Sequence, residues 1–399
     1  MTQAASIAPA ANLAPTPLLA AYLNWAHTLD HLFMLIFPTA AIALTREWSM
    51  GYAELIKLSI GGWVAFGVFS IPAGWLADKW SRWGMMVVFF VGIGLTSIAA
   101  GLSQGPAQMA IALTAIGMFA AIYHPVGIAM LTMGARQLGK TLGINGVWGN
   151  SGLAFAALLT GALIDFVGWR WAFIVPGVLA VVSGIGFAMT TSMPQAKATK
   201  KSAPTGLPRS FYVRVFAVLA VVAAGNSVIF NATTISMPKI FDERLNALTN
   251  TSLGIGALVC FTYLVAAMAQ LLVGYWIDRG GLKRVLVPVV AFQVPLLFLA
   301  GIFSDYALLF IAVGMMFFVF GQIPINDAMV ARYTADEWRA RALGLRYVLS
   351  FTAGTLAVSL IAFSQTHGGF TQLFNLLAVG AAVVLVAALA FPGEPVKAG

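Results

Sequence analysis

The sequence predicts an all-α membrane protein: twelve transmembrane helices in two pseudo-symmetric six-helix bundles around a central cavity. Three observations predict it. Of 399 residues, 60% are hydrophobic and only 9% charged, against roughly 25% charged in an ordinary soluble domain. Residues 83–135 and 347–393 contain no Asp, Glu, Lys or Arg. The two halves of the chain also echo each other at an offset near 200 residues.

The spans follow from the charge-free runs. A spanning helix needs about 20 residues, and each long run breaks once at a polar, Gly-rich point: Ser103-Gln-Gly-Pro106 and Gln365-Thr-His-Gly-Gly369. Each therefore holds two helices. The twelve spans are placed at 18–44, 51–77, 84–103, 107–133, 142–165, 170–192, 211–238, 250–277, 285–304, 307–331, 342–364 and 370–391. Residues 1–17 are uncharged and Ala- and Pro-rich, without the basic n-region of a cleavable signal. They are expected to form a flexible cytoplasmic N-terminus, with the first span acting as insertion signal. Residues 193–210, carrying Lys197, Lys200, Lys201 and three prolines, are expected to link bundles 18–192 and 211–391. A short tail follows at 392–399.

The net charge of +9 could point to a polyanion, but its distribution points to topology. With the N-terminus inside, 17 of 22 basic residues fall on cytoplasmic segments and five outside, at Arg46, Lys57, Arg170, Lys239 and Arg244. By the positive-inside rule both termini face the cytoplasm, and no nucleic acid partner is implied. Compact loops suggest a bacterial inner membrane. Cys260 is the only cysteine, which excludes a disulfide framework and a thiolate metal cluster.

The internal echo runs in order along the chain. His31 and Pro38 correspond to Asn231 and Pro238, Gly74 and Asp78 to Gly274 and Asp278, and Pro125 to Pro324. Leu142-Gly143 falls against Leu343-Gly344. Transporters built from parallel six-helix repeats bind substrate at the midplane between halves that rock against each other.

The loop after the second span reads Gly74-Trp-Leu-Ala-Asp78-Lys79-Trp-Ser-Arg82, and its counterpart Gly274-Tyr-Trp-Ile-Asp278-Arg279-Gly-Gly281-Leu-Lys283-Arg284. On these residues the chain resembles the major facilitator superfamily, whose signature here is Gly-x-x-x-Asp-(Arg/Lys)-x-Gly-Arg-(Arg/Lys). Ser81, Trp83 and Leu282 depart from that pattern. The resemblance covers essentially the whole chain. It implies a latch that breaks when the halves rock, formed by Gly74, Asp78, Lys79 and Arg82 and by Gly274, Asp278 and Arg279. It also implies that Asp78 lies near Arg341 or Ala342, at the start of the eleventh span, where a helix N-terminus favours negative charge.

The candidate site lies inside the spans. The first reads Asn24-Trp-Ala-His27-Thr-Leu-Asp30-His31. A carboxylate near the bilayer centre costs about 2.5–3.5 kcal/mol to insert, so it persists where it faces protein, water or substrate. At about 100° per residue, Asn24, His27, Asp30 and His31 share one face. His27 is spaced to touch both Asp30 and His31. Such a coupled pair changes its proton affinity with hydration, which is the chemistry of proton coupling. A static hydrogen bond that only packs the span is the plainer reading.

The fourth span adds Tyr123-His124-Pro125, where proline frees a carbonyl and can kink the helix. The tenth repeats the idea in Gly321-Gln322-Ile-Pro324-Ile-Asn326-Asp327. Asp327, near the inner end, is expected to pair with Arg332 or Arg346 as a gate. In the fifth span, Asn145, Trp148 and Asn150 offer hydrogen bonds and a flat face to a ligand, or simply hold helices together. Asn226 and Asn231 in the seventh face the same choice. Arg346 either snorkels inward or meets an anionic ligand. Glu54 and Lys57 are spaced as a salt bridge.

His27 with Asp30, Tyr123-His124-Pro125 and Gly149-Asn150 together are similar to the fosmidomycin-resistance type of exporter within the superfamily. The expected function is a proton-coupled secondary transporter, more often an exporter, of a small organic molecule. It would act as a monomer with substrate, protons and lipid as partners and without a cofactor. Two further transport readings stand beside it: a divalent metal transporter using His27, Asp30, His31 and His124, and an uncoupled facilitator or importer of a small polar solute. From another class, the cluster could be an enzyme's acid–base site. The chain has no nucleophile elbow, His-Glu-x-x-His helix or phosphate loop, so neither an enzyme nor direct ATP drive is expected.

Overall fold

A computed structural model describes residues 14–133, 137–192, 209–333 and 336–391. The expected linker core at 193–208, most of the N-terminus, the C-terminal tail, and the side chains of Asp327, Arg332, Arg341 and Arg346 lie outside the described residues.

The described residues form fourteen α-helices and one π-helical turn. In the first half these are α1 (Pro17–Glu47), α2 (Tyr52–Lys57), α3 (Ile60–Lys79), α4 (Arg82–Gly101), α5 (Pro106–Ala120), the π turn Tyr123–Gly127, α6 (Ile128–Thr132), α7 (Leu138–Val167) and α8 (Trp169–Thr190). The second half has α9 (Arg209–Arg244), α10 (Ser252–Gly280), α11 (Leu282–Ala300), α12 (Asp305–Tyr333), α13 (Asp336–His367) and α14 (Gly369–Ala390). Among the described residues, eleven helical segments are long and apolar enough to cross a membrane. The predicted eleventh span falls on α13, 32 residues long.

Local chemistry sets the ends. Thr16 caps α1, its hydroxyl accepting from Leu19 N at 3.2 Å, with Pro17 at the first helical position. Ser81 caps α4 in the same way through Gly84 N. Several helices overrun the predicted boundaries: α1 has 31 residues, about 46 Å at 1.5 Å each, against a hydrocarbon core of about 30 Å. Charged residues that bounded the predictions, such as Arg46 and Glu47, are carried on the helix ends. The second span differs in another way. It breaks between α2 and α3, where Ser59 turns back on Ile56 O through both its hydroxyl (2.7 Å) and its N–H (3.1 Å).

Within the first half α1 packs on α7, α3 on α5, and α4 on α8; within the second α10 packs on α12, α11 on α14, and α9 on α13. The halves meet along α7 with α10 and along α3 with α13. Among the described spans that can be compared, α1 is the most enclosed, with 78% of its apolar stretch buried against 39–61% in the others. Polar groups on α1 must therefore find protein partners.

The α7–α10 seam is tight at one end. Asp165 at the end of α7 accepts hydrogen bonds from Ser252 N (3.3 Å) and Leu253 N (2.7 Å) at the start of α10. Gly161 and Gly256 leave no room there for a Cβ, which would strike the backbone at Ser252 and at Ala157. Contact continues to Gln270, whose Nε2 donates to Asn150 Oδ1 at 3.3 Å. One turn further, Gly146 and Gly274 have nothing around them within 4 Å of a would-be Cβ among the described residues. Among the described residues, the polar contacts of the seam run from Asp165 to Asn150–Gln270.

Candidate functional site

α1 is held on α7 through its polar face. His27 Nδ1 lies 2.8 Å from Asn145 O, and the Thr28 hydroxyl donates to Trp148 O at 2.8 Å. Glycine is required opposite: a Cβ at Gly149 would come within 2.6 Å of the His27 ring, and one at Gly152 would run into the Thr28 carbonyl. The Asn145 side chain then ties three spans together. Its Nδ2 donates to Asn24 Oδ1 (2.9 Å) and to Tyr123 Oη (2.7 Å). His27 Nε2 points the other way, 3.1 Å from His31 Nε2.

Asp30 does not pair with His27 as the spacing suggested. Its Oδ2 lies 3.2 Å from His124 Nε2 of the fourth span, and the residue is 0% exposed. Two local features explain the difference. The Asn145 carbonyl draws His27 toward α7, away from Asp30. The fourth span widens into a π turn over Tyr123-His124-Pro125-Val126-Gly127, where proline removes a helical hydrogen bond. That extra width lets consecutive residues, Tyr123 and His124, both reach α1 and both be buried (0% and 7% exposed). His27 stacks on the Tyr123 ring (centroids 4.8 Å apart, 23° between planes) and meets His124 edge-on at 5.3 Å. Phe66 also packs edge-on against His124.

The structure thus brings Asn24, His27, Asp30, His31, Tyr123, His124 and Asn145 into one cluster. Ligand atoms of His27, His31 and His124 lie within 4.8 Å of one another, so three imidazoles could hold a cation. Buried carboxylate and imidazoles in one low-dielectric pocket can also hand a proton between them.

The other predicted residues lie elsewhere. Trp148 is exposed at 39% and contributes its carbonyl to Thr28. Asn150 bridges to Gln270. Asn231 donates to Ser227 O (2.7 Å) and Ser350 O (3.4 Å). Gln322 accepts from Gln293 Nε2 at 2.8 Å, and both are fully buried. Asn226 and Asn326 are each 4% exposed, and their carbonyl oxygens have no partner among the described residues. The described hydrogen bonds of these second-half amides stay within the second half.

At the latch, Asp78 pairs with Arg82 four residues on, at 2.7 Å, and Lys79 is exposed. Arg279 lies over the Tyr275 ring at 3.7 Å, and Asp278 is exposed. The expected approach of Asp78 to Arg341, and the Asp327 and Arg346 gate, lie outside the described residues. Glu54 does not reach Lys57; its carboxylate accepts from Gly51 N at 3.0 Å and caps α2.

Three contributors were not singled out from sequence. Gln293 was a lone amide in an apolar span. Gln270 was one in the eighth. Asp165 was an acid at a span end, easily taken for a loop charge. The first two carried a usable signal, since an amide inside a span needs a partner.

The family profile described as Major Facilitator Superfamily matches residues 19–263 and 245–399. The chain is 28% identical over 148 residues to a puromycin resistance protein of Streptomyces alboniger, covering 36% of this chain and 29% of that protein. It is 26% identical over 245 residues to a probable 4-methylmuconolactone transporter of Cupriavidus pinatubonensis, covering 56% of this chain and 55% of that one. The chain thus spans between under a third and about half the length of these curated relatives. In structure it is similar to an inward-facing, unoccupied bacterial homolog of the human lysosomal transporter Spinster, with TM-score 0.71 at 13% identity over 94% of this chain and 95% of that one.

Proposed function

The chain belongs to the Major Facilitator Superfamily of membrane transporters, and from that premise we propose that it is a proton-coupled exporter of a small organic molecule. Asp30 carries the reading. It is a carboxylate with no exposure in a largely buried span, set against an imidazole at 3.2 Å. An unpaired charge there is costly, so loading and releasing a proton at Asp30–His124 changes which arrangement of the spans is stable. His27 and His31 extend the same set toward the partly exposed His31. One proton moving down 100 mV supplies about 2.3 kcal/mol, enough for roughly a 50-fold substrate gradient.

The 17-to-5 split of basic residues supports both termini lying in the cytoplasm, in a bacterial plasma membrane. The end closed by Asp165 is then the outer one, and the arrangement faces inward. The monomer is the working unit. The puromycin resistance relative supports export.

A second reading, uptake of a small organic acid, is favoured by the 4-methylmuconolactone relative, which matches the longer stretch. The chemistry at Asp30 is the same, and only the side of accumulation differs. A thermal-shift screen of small anions, cations and amphiphiles, with puromycin and 4-methylmuconolactone in the panel, selects the probe. Flux is then followed in oriented proteoliposomes under an imposed pH gradient. The wild-type protein should accumulate the probe against its gradient, and Asp30→Asn should only equilibrate it. Uphill transport undiminished in Asp30→Asn rejects the proposal.

A further inference from the structure

Beside the Asp30–His124 contact, the other two imidazoles of the cluster have a specific geometry. His27 and His31 stand one helical turn apart on α1, with their Nε2 atoms 3.1 Å from each other. Two nitrogens bound to one tetrahedral zinc ion, at about 2.05 Å each, stand roughly 3.3 Å apart. Histidines at i and i+4 on one helix face are a known chelating pair. The third imidazole, His124, arrives from the π turn, and one ligand atom of each ring lies within 4.8 Å of the others. A cation would need to draw His124 inward by up to about 1.5 Å, judged against the same ligand spacing.

The groups around the rings fit such a site. A carbonyl oxygen can only accept, so the 2.8 Å contact to Asn145 O puts the His27 proton on Nδ1. Its Nε2 then presents a lone pair toward His31. Backbone carbonyls and carboxylates placed this way orient ligating imidazoles and raise their basicity. Asp30, 3.2 Å from His124 Nε2, either orients that ring or adds an oxygen ligand. Imidazole donors without thiolate favour Zn²⁺, Ni²⁺, Co²⁺ or Cu²⁺ over Mg²⁺ or Ca²⁺.

We propose that His27, His31 and His124 form a binding site for a first-row divalent cation, of which Zn²⁺ is representative. The site stands on the placement of the three rings and not on the proton-coupling reading.

The test uses the full chain without a histidine tag, in nanodiscs, titrated with Co²⁺. Wild-type protein should bind one equivalent with the visible d–d absorption of a nitrogen-rich site, and Zn²⁺ should displace it. His31→Gln and His124→Gln should each remove the absorption while retaining helical circular dichroism and a monodisperse profile. Asp30→Asn should weaken Co²⁺ about 10–100-fold, the usual effect of losing an outer partner. Asn231→Ala, in the matching second-half position, should bind as wild type. No d–d absorption in wild type, or absorption unchanged in His31→Gln, overturns the site; the 3.1 Å contact is then a hydrogen bond from His31 to His27.

Discussion

In the first half, the polar cluster is built from titratable groups, buried His27, Asp30 and His124 with half-buried His31, and Tyr123 and Asn145 are bonded around them. In the second half the equivalent depth holds Gln293, Gln322, Asn226, Asn231 and Asn326, amides that donate and accept without titrating. Yet the scaffolds match closely. Residues 71–79 and 271–279, the two copies of the latch helix, alternate between exposed and buried positions in the same order. Pro125 and Pro324 occupy corresponding places, but only Pro125 sits in a π turn, while α12 runs through Pro324 as continuous α-helix. The two halves thus carry two chemistries at similar places in the chain: titratable groups in the first, amides in the second.

The largest expected effect lies on the titratable side. His124→Leu removes the partner of a fully buried carboxylate. Breaking a buried pair this way costs about 3–5 kcal/mol, so thermal unfolding in detergent should fall by many degrees and pH-driven accumulation should cease. Adding Asp30→Asn to His124→Leu removes the stranded charge. The double variant should regain most of the lost stability and none of the coupling. Stability that stays low in the double variant would mean that the pair is not the cause.

The matching change on the amide side is Gln293→Leu, which leaves Gln322 without its donor at 2.8 Å. A stranded neutral group costs about 1–3 kcal/mol. Stability should drop by less than in His124→Leu, and the dependence of flux on the pH gradient should keep its wild-type slope. A changed slope in Gln293→Leu would end the division of labour between the halves.

The sequence carried the fold because charge is nearly absent from spans and collects where helices leave the membrane, so runs such as 83–135 mark their own limits. It carried membership of the first-half cluster for the related reason that His27, Asp30 and His124 are costly in an apolar span wherever they point. It did not carry the pairing. Helical spacing places Asp30 within reach of His27, but the partner came from another span, through a π turn whose extra residue shifts every later side chain around the axis. The break of the second span at Leu58-Ser59 was hidden likewise, since both residues are ordinary in a continuous apolar helix. Gln293 and Gln270 were readable as amides needing partners, but which span supplies the partner is a fact of packing.

The smallest expected effect tests whether the comparison extends from the core to the ends of the molecule. At the latch copies, Asp78 satisfies itself within the first half through Arg82. At the opposite end, Asp165 crosses between halves and accepts two backbone N–H groups at the N-terminus of α10. A carboxylate there caps the helix and faces the positive end of its dipole, contributing about 0.5–2 kcal/mol. Because the bond joins the halves, its loss should act on the closed-to-open equilibrium more than on folding. Asp165→Ala should favour opening at that end by about fivefold for each ~1 kcal/mol lost. Cys260, the only cysteine and a buried one, can be replaced by Ala, and Ala156→Cys then reports on the seam. Ala156 lines a small void with Leu35, Leu153, Thr234 and Tyr263, which leaves room for a thiol. A membrane-impermeant maleimide should label Cys at 156 several-fold faster in Asp165→Ala than with Asp165 intact. Asp78→Ala, which breaks only a bond within one half, should leave the labelling rate unchanged. Equal rates in all three proteins would remove Asp165 from the opening equilibrium and leave the seam to the close backbone packing at Gly161 and Gly256.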